Sequence, residues 1–382
     1  MKLKTVAKLS TVVSVLLFGL AVAFYALTEL DMTRRNRNVN LFAWMPADCV
    51  GVLESDNINA FLNDISMSSY GRELDTFRYS GLFHFLVDGL NGYAADNAHG
   101  LSSQMNHVAV SFHRSFAPHD QVVYFRMNAS DERLLSDMLR EYMPANFLPK
   151  VEEYRGKTLR VYPLGDSEFL ASYAESGLMV VSYEKRLVEK AIDARLDGTS
   201  LNDDEVFAQA LTRKKSHNHF TLYARSASFP FLRLGQDCWS EYDFHANSEV
   251  LYLTGETFLP EDSDCLTRAL GYLGECPQIN EADRLVSVNR DSTKCYMEQA
   301  SATDEADGRT LFDECVSNLS WESSFALVAD MRRVTEAPQE FGACLPPFML
   351  AHARQFRSFI LSAQLSLSPG RASHIWVFTY KE

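Results

Sequence analysis

Residues 158–182 read TLRVYPLGDSEFLASYAESGLMVVS, and this stretch decides the fold. Its apolar runs, Leu159–Tyr162, Phe169–Tyr173 and Leu178–Val181, are divided by Gly165-Asp166 and by Glu175-Ser176-Gly177. Short runs between turn-forming residues are strands, and breaks this brief allow only antiparallel neighbours. A three-stranded meander is therefore expected. Directly after it, Leu187, Val188, Ala191, Ile192 and Leu196 recur at the spacing of one helical stripe, with Ser182 as the expected N-cap and Gly198 as the stop.

Upstream, Met45-Pro46-Ala47-Asp48 introduces a strand from Cys49 to Glu54, and Ser55-Asp56-Asn57 caps a helix carrying Ile58, Phe61 and Leu62. A longer helical region runs from Gly71 to about Leu90. Val108, Val110 and Phe112 alternate against Val123, Phe125 and Met127 across Pro118-His119-Asp120, the pattern of an antiparallel hairpin. Ser130 then caps a helix with Leu134, Leu135, Met138, Leu139, Tyr142 and Met143 on one stripe, stopped by Pro144.

Downstream the same order of elements returns in shortened form. It comprises a strand at Phe220–Ala224, alternating segments at Trp239–Phe244 and Val250–Thr254, and a helix with Leu266, Ala269, Leu270 and Leu273. A third, truncated pass follows: a strand at Phe325–Ala329, a helix from about Gln339 to Phe356, and a hairpin of Leu361–Leu367 against Ile375–Tyr380 turning at Pro369-Gly370. These passes suggest divergent internal repeats. The expected class is α+β: an N-terminal transmembrane helix, then a predominantly antiparallel sheet with helices packed on one face. The expected divisions are an anchor at 1–32, a linker at 33–44, a first α+β unit at 45–212, and a second at 213–382 holding the shortened repeat, C-terminal helix and hairpin.

The anchor rests on Leu9–Thr28, twenty residues without a charge between Lys2, Lys4 and Lys8 on one side and Glu29, Asp31, Arg34, Arg35 and Arg37 on the other. A helix of that length spans roughly 30 Å, the thickness of a bilayer's hydrocarbon core. Ala21-Val22-Ala23 matches the small-residue pattern of signal-peptide cleavage, which would release a secreted protein. Phe24, Tyr25, Ala26 and Leu27 continue the apolar run past that point and favour retention. Lysines before the segment and arginines after it leave the positive-inside bias balanced; long domains translocate largely regardless of nearby charge, so the favoured arrangement is a single-pass inner-membrane protein with a periplasmic body.

Composition narrows the function classes. At 46% hydrophobic and 23% charged residues the chain has material for a sizeable core and little room for a long disordered tail. A net charge of -14 argues against nucleic-acid partners, which need a basic face. Seven cysteines, Cys49, Cys238, Cys265, Cys276, Cys295, Cys315 and Cys344, include no C-x-x-C pair, so neither a zinc ribbon nor a thioredoxin-like motif is present. Buried thiols are the preferred reading over bridges such as Cys265–Cys276 or Cys295–Cys315. No G-x-G-x-x-G after a strand and no G-x-x-x-x-G-K-[ST] occurs, which removes the two phosphate cradles of nucleotide folds.

Candidate chemistry is sparse. His107 and His113 should face the same side of a strand as Ala109 and Ser111, away from the valines, but six positions separate them by about 20 Å, too far to share an ion unless another element folds in. His119 lies in the intervening turn, and His217 and His219 form an i, i+2 pair with no third ligand indicated. Ser182-Tyr183-Glu184-Lys185 fits S-x-x-K without its S-D-N or K-T-G companions, so capping explains Ser182. The acidic runs Asp203-Asp204-Glu205 and Glu261-Asp262-Ser263-Asp264 precede helices, where carboxylates favour the positive end of the dipole. Asn128-Ala129-Ser130 and Asn318-Leu319-Ser320 fit the glycosylation triplet and decide nothing. No catalytic, cofactor-binding or metal-ligating residue is assigned, and no cofactor is expected.

Met45-Pro46-Ala47-Asp48 before its strand, Tyr154-Arg155-Gly156-Lys157, and Leu178-Met179-Val180-Val181-Ser182 with Leu187 beyond it resemble a bacterial family of membrane-anchored extracytoplasmic proteins of unknown function. The resemblance implies an envelope location and no activity. The leading expectation is a non-enzymatic envelope protein, a binding or scaffold module for protein or apolar cargo, with the membrane and another envelope protein as partners. The alternatives are a hydrolase with a dispersed active site and a carrier of lipid or lipoprotein.

Overall fold

In the computed structural model the described residues are 39–57, 67–70, 107–113, 118–127, 135–140, 148–165, 168–175, 177–211, 220–225, 239–258, 285–289, 310–320, 323, 325–342, 345, 350, 353–368 and 371–381. Their strands are β1 (Gly51–Ser55), β2 (Val108–Phe112), β3 (Gln121–Arg126), β4 (Lys150–Tyr154), β5 (Lys157–Gly165), β6 (Glu168–Glu175) and β7 (Leu178–Ser182) in the first half of the chain. The second half supplies β8 (Thr221–Arg225), β9 (Trp239–Ala246), β10 (Val250–Phe258), β11 (Leu285–Asn289), β12 (Phe325–Asp330), β13 (Phe359–Ser368) and β14 (Arg371–Tyr380). The described helices are α1 (Lys185–Asp197), α2 (Glu205–Leu211), α3 (Leu311–Ser317) and α4 (Met331–Glu336), with residues 135–140 also helical.

All fourteen strands join one sheet in the order β11-β12-β13-β14-β10-β9-β8-β1-β2-β3-β7-β6-β5-β4, and every pairing is antiparallel. Read outward from the centre, the first half runs β1-β2-β3-β7-β6-β5-β4 and the second β8-β9-β10-β14-β13-β12-β11. The two halves have the same strand order, and β1 pairs with β8 at the seam, Val52 opposite Tyr223 and Glu54 opposite Thr221. In each, the third strand is followed by a crossing to the far edge and a four-strand return that brings the last strand beside the third. The segments expected to form a third pass complete the second set of seven.

The α+β expectation is overturned. Strands dominate the described residues, and their few helices lie on both faces of the sheet. The cause is legible in the core: β2, β3 and β7 carry apolar side chains at both alternations. Ala109, Val122, Tyr124 and Val180 pack under Val188, Ala191 and Ile192 of α1, while Val108, Val110, Val123 and Val181 pack with Leu135, Met138 and Leu139 on the reverse side. The second half follows suit, with Phe312 and Val316 of α3 against Ala326 and Val328, and Met331 and Val334 of α4 among Leu361, Trp376 and Phe378. Here "α1 face" denotes the side of the sheet that α1 covers.

Several local expectations hold. The meander pairs β5 with β6 and β6 with β7, the first hairpin pairs β2 with β3, and the last pairs β13 with β14. Gly198 closes α1 in the left-handed conformation, φ 66°, which glycine adopts without a Cβ clash. Other details differ. The N-cap residue of α1 is Glu184, and Ser182 instead accepts from the Glu184 amide at 3.1 Å while donating to the Gln121 carbonyl at 2.7 Å. No continuous helix fills 339–356; short 3-10 turns at Pro338–Phe341 and Ala353–Phe356 stand at its ends, on either side of Pro346-Pro347.

Leu41–Trp44, at the end of the expected linker, form a buried 3-10 turn capped by Asn40, whose side chain accepts from the Phe42 amide at 3.0 Å. Among the described residues no helix is long and apolar enough to cross a membrane. The transmembrane helix expected at Leu9–Thr28 lies outside the described residues, as do the helices expected at 58–62, 71–90 and 266–273.

Candidate functional site

Antiparallel register assembles a polar row on the α1 face where the halves meet. Opposed pairs line up as Ala109, Glu54, Thr221, Asp243, Thr254 and Ile375 across β2, β1, β8, β9, β10 and β14. The next row holds Val52, Tyr223, Glu241, Glu256 and Ser373. Opposed residues share a face, so the alternation that turns Tyr242, Leu251 and Trp376 into the core sends these carboxylates the other way.

Over β9, β10 and β14 the rows line a groove of about 650 Å³, with Glu241, Asp243, Glu256 and Arg371 as its charged residues. Arg371 reaches Glu256 at 3.4 Å, and the Thr221 hydroxyl donates to Asp243 at 3.4 Å. Gly255, opposite Tyr242, permits a close approach beneath the groove. A Cβ there would lie 1.9 Å from the Glu241 carbonyl oxygen and 2.7 Å from the Tyr242 ring.

The seam itself holds a tighter cluster. Ser55 opposes Val108, so one step further Asp56 comes level with His107. His107 Nε2 lies 3.5 Å from Glu54 Oε1, and its Nδ1 pairs with Asp56. This is the folding-in of another element that His107 needed to have ligand-type neighbours. Tyr223 is fully buried with its hydroxyl lacking a hydrogen-bond partner among the described residues. Burial, then the carboxylates of Glu54, Glu241, Asp243 and Asp56, hold its phenol above the ordinary value.

Two buried histidines sit in hydroxyl networks. His113 Nε2 is 3.0 Å from Ser111 Oγ, which is also 3.2 Å from the Tyr124 hydroxyl, while His113 Nδ1 is 3.9 Å from Asp48. Burial pushes His113 down to about 4, against the opposing pull of Asp48. For Asp48, burial pushes upward, but its bond to Lys190 at 2.7 Å and the charges of Lys190 and His113 leave it below the usual carboxylate range. On the reverse side of the sheet, His374 Nε2 meets Thr257 Oγ1 at 2.7 Å, with Ser240 next in the chain of hydroxyls, and burial pushes His374 down to about 3. The Ser111–His113–Asp48 set has the residue types of a nucleophile, base and orienter. Ser111 is 0% exposed, so the hydroxyl faces no solvent from which a substrate could approach.

The remaining sequence candidates have structural employment. His119 packs against Tyr183 with ring centroids 5.4 Å apart, and Lys185 pairs with Glu152 at 2.8 Å and Glu189 at 3.2 Å. Asp203 closes a capping box with Ser200, and Asp204 accepts from the amides of Val206 and Phe207 at the start of α2. Asn318 ends α3. Cys49 and Cys315 are free and buried, and the other five cysteines lie outside the described residues; burial raises the Cys49 thiol to about 12. His217, His219, the run 261–264 and Asn128–Ser130 lie outside the described residues.

Sequence reading missed Glu54 and Asp56 as neighbours of His107. The available signal was the charged Glu54 at the end of an otherwise apolar strand; its partner strands are far away in the chain. Comparison with known proteins finds no matching family model, no matching curated protein and no matching solved structure.

Proposed function

We propose that this chain is a membrane-tethered envelope module that binds a basic segment of a partner protein in the groove over β9, β10 and β14. The observation that carries the reading is the groove's charge: Glu241, Asp243 and Glu256 face it with Arg371 as the cation among its described lining. A groove of this kind attracts lysine- and arginine-rich chain and rejects lipid tails, whose burial among carboxylates would cost desolvation with no return. The tether rests on the uncharged stretch Leu9–Thr28. A dispersed hydrolytic site would run through Ser111 and His113, and their burial argues for binding over catalysis.

The test is titration of the full chain in detergent with a fluorescent lysine- and arginine-rich peptide. Neutralising Asp243 and Glu256 together (Asp243→Asn, Glu256→Gln) should weaken binding about tenfold or more at 0.15 M salt. The same charge change on the edge strand, Glu152→Gln with Glu153→Gln, should leave it nearly unchanged. Equal losses from the two pairs would mean that net charge, and not the groove, attracts the peptide.

A further inference from the structure

We propose that Glu54, Asp56 and His107 form a divalent-cation site at the seam of the two halves, of the mixed imidazole–carboxylate type that suits zinc. The site is independent of the groove's binding role. One ligand atom from each residue lies within 4.8 Å of the other two. A tetrahedral ion about 2.1 Å from its donors holds them about 3.4 Å apart, so the cluster needs a contraction of little more than an ångström. Asp56 can supply it: its side chain is 51% exposed and follows the end of β1, whereas Glu54 and His107 are held at 7% and 14%.

Backbone register fixes two of the three ligands. Glu54 sits within the β1–β2 ladder, and His107 immediately precedes β2, on the same face by alternation. His107 bridges the two carboxylates through its two ring nitrogens. A cation would take one of those nitrogens and both carboxylates.

Tyr223 is the independent observation. Its hydroxyl is buried, lacks a hydrogen-bond partner among the described residues, and stands in the field of Glu54 first and of Glu241, Asp243 and Asp56 after it. A buried donor left in this state calls for an ordered water or ion nearby. Arg126 also faces the cluster: the charges of Glu54 and Asp56 act on it, while its Nε donates to the Val39 carbonyl at 2.7 Å.

The test uses the full chain, stripped with a chelator and titrated with zinc by calorimetry, followed by cobalt(II) for its visible spectrum. One equivalent should bind, and the cobalt form should show the bands of a nitrogen–oxygen site without thiolate charge transfer. Asp56→Asn, chosen because its exposure spares the fold, should weaken binding about tenfold or more. His107→Gln should abolish it, with circular dichroism checking that both variants remain folded. Tyr223→Phe should weaken binding less than either. A thiolate band, absent saturation at one equivalent, or full binding by both Asp56→Asn and His107→Gln would overturn the assignment.

Discussion

Strands β7 and β14 occupy the same place in their halves, each beside the third strand of its set, yet they are buried differently. Every residue of β7 is buried, whereas β14 alternates between buried and partly or fully exposed positions until its last residues. The chain leaving β7 turns into α1 and lays Val188, Ala191 and Ile192 over Val180, sealing that face. At β14 the corresponding side carries Arg371, Ser373 and Ile375, with Ile375 43% exposed at the groove. Among the described residues, one strand order therefore supports two surfaces: one sealed by α1, and one that carries Glu241, Asp243 and Glu256. Among the described residues, what differs is the cover placed over the sheet.

The sharpest way to break the contrast is at Gly255. Its counterpart by position in the order, β3, contains no glycine, and a Cβ at Gly255 would collide with the backbone of Glu241. Gly255→Val should cost about 4 kcal/mol or more and unfold the second half, as read by denaturant titration. An intact fold with unchanged midpoint would mean that β9 and β10 are not packed this closely.

The covers themselves can be compared with paired truncations. Ile192→Ala, beneath α1, should cost about 2–4 kcal/mol, and Ile375→Ala, on the open face, less than about 0.5 kcal/mol. Similar losses at both positions would show that the β14 face is covered in solution.

Acid sharpens the comparison from inside, because each half buries one histidine among hydroxyls. Unfolded imidazoles take up a proton near 6.5, while folded His113 does so only near 4 and His374 near 3. Below 6.5 the unfolded state thus binds more protons, so stability is full above that pH and falls as pH drops toward 4. Between pH 7 and pH 5 the expected loss is roughly 2 kcal/mol per histidine. His113→Asn and His374→Gln should each flatten this dependence, whatever their effect at pH 7, in urea titrations at the two pH values. The smallest expected effect is at Arg371→Ala, an exposed partner of Glu256, which should move stability by no more than about 0.5 kcal/mol while strengthening binding of a basic peptide.

Local structure was well written in the sequence, because turn residues and alternation act over a few positions. The meander at Thr158–Ser182, the hairpin around Pro118-His119-Asp120 and the stop at Gly198 were all legible. The edge strand β4 was not: Lys150, Glu152 and Glu153 put charge where apolar alternation marks a strand, as an edge requires to discourage further pairing. The helix at Leu311–Ser317 was missed because its apolar stripe, Phe312, Cys315 and Val316, is short and begins at a Thr310 capping box that no long pattern advertised. The α+β class misjudged the covers because alternation identifies a core face but does not say which element lies over it, and β7 has two core faces. The seam cluster depended on β1 pairing with β2 across a long intervening segment, a contact that no local pattern encodes.

The open groove is tested most directly by placing a photocrosslinking phenylalanine analogue at Ile375 in the full chain and, separately, at exposed Phe169 in the first half. A lysine- and arginine-rich peptide should crosslink at position 375, with the yield falling as salt rises and on Asp243→Asn with Glu256→Gln, and should crosslink little at position 169. Equal crosslinking at the two positions, or a yield at 375 indifferent to those substitutions, would contradict the account.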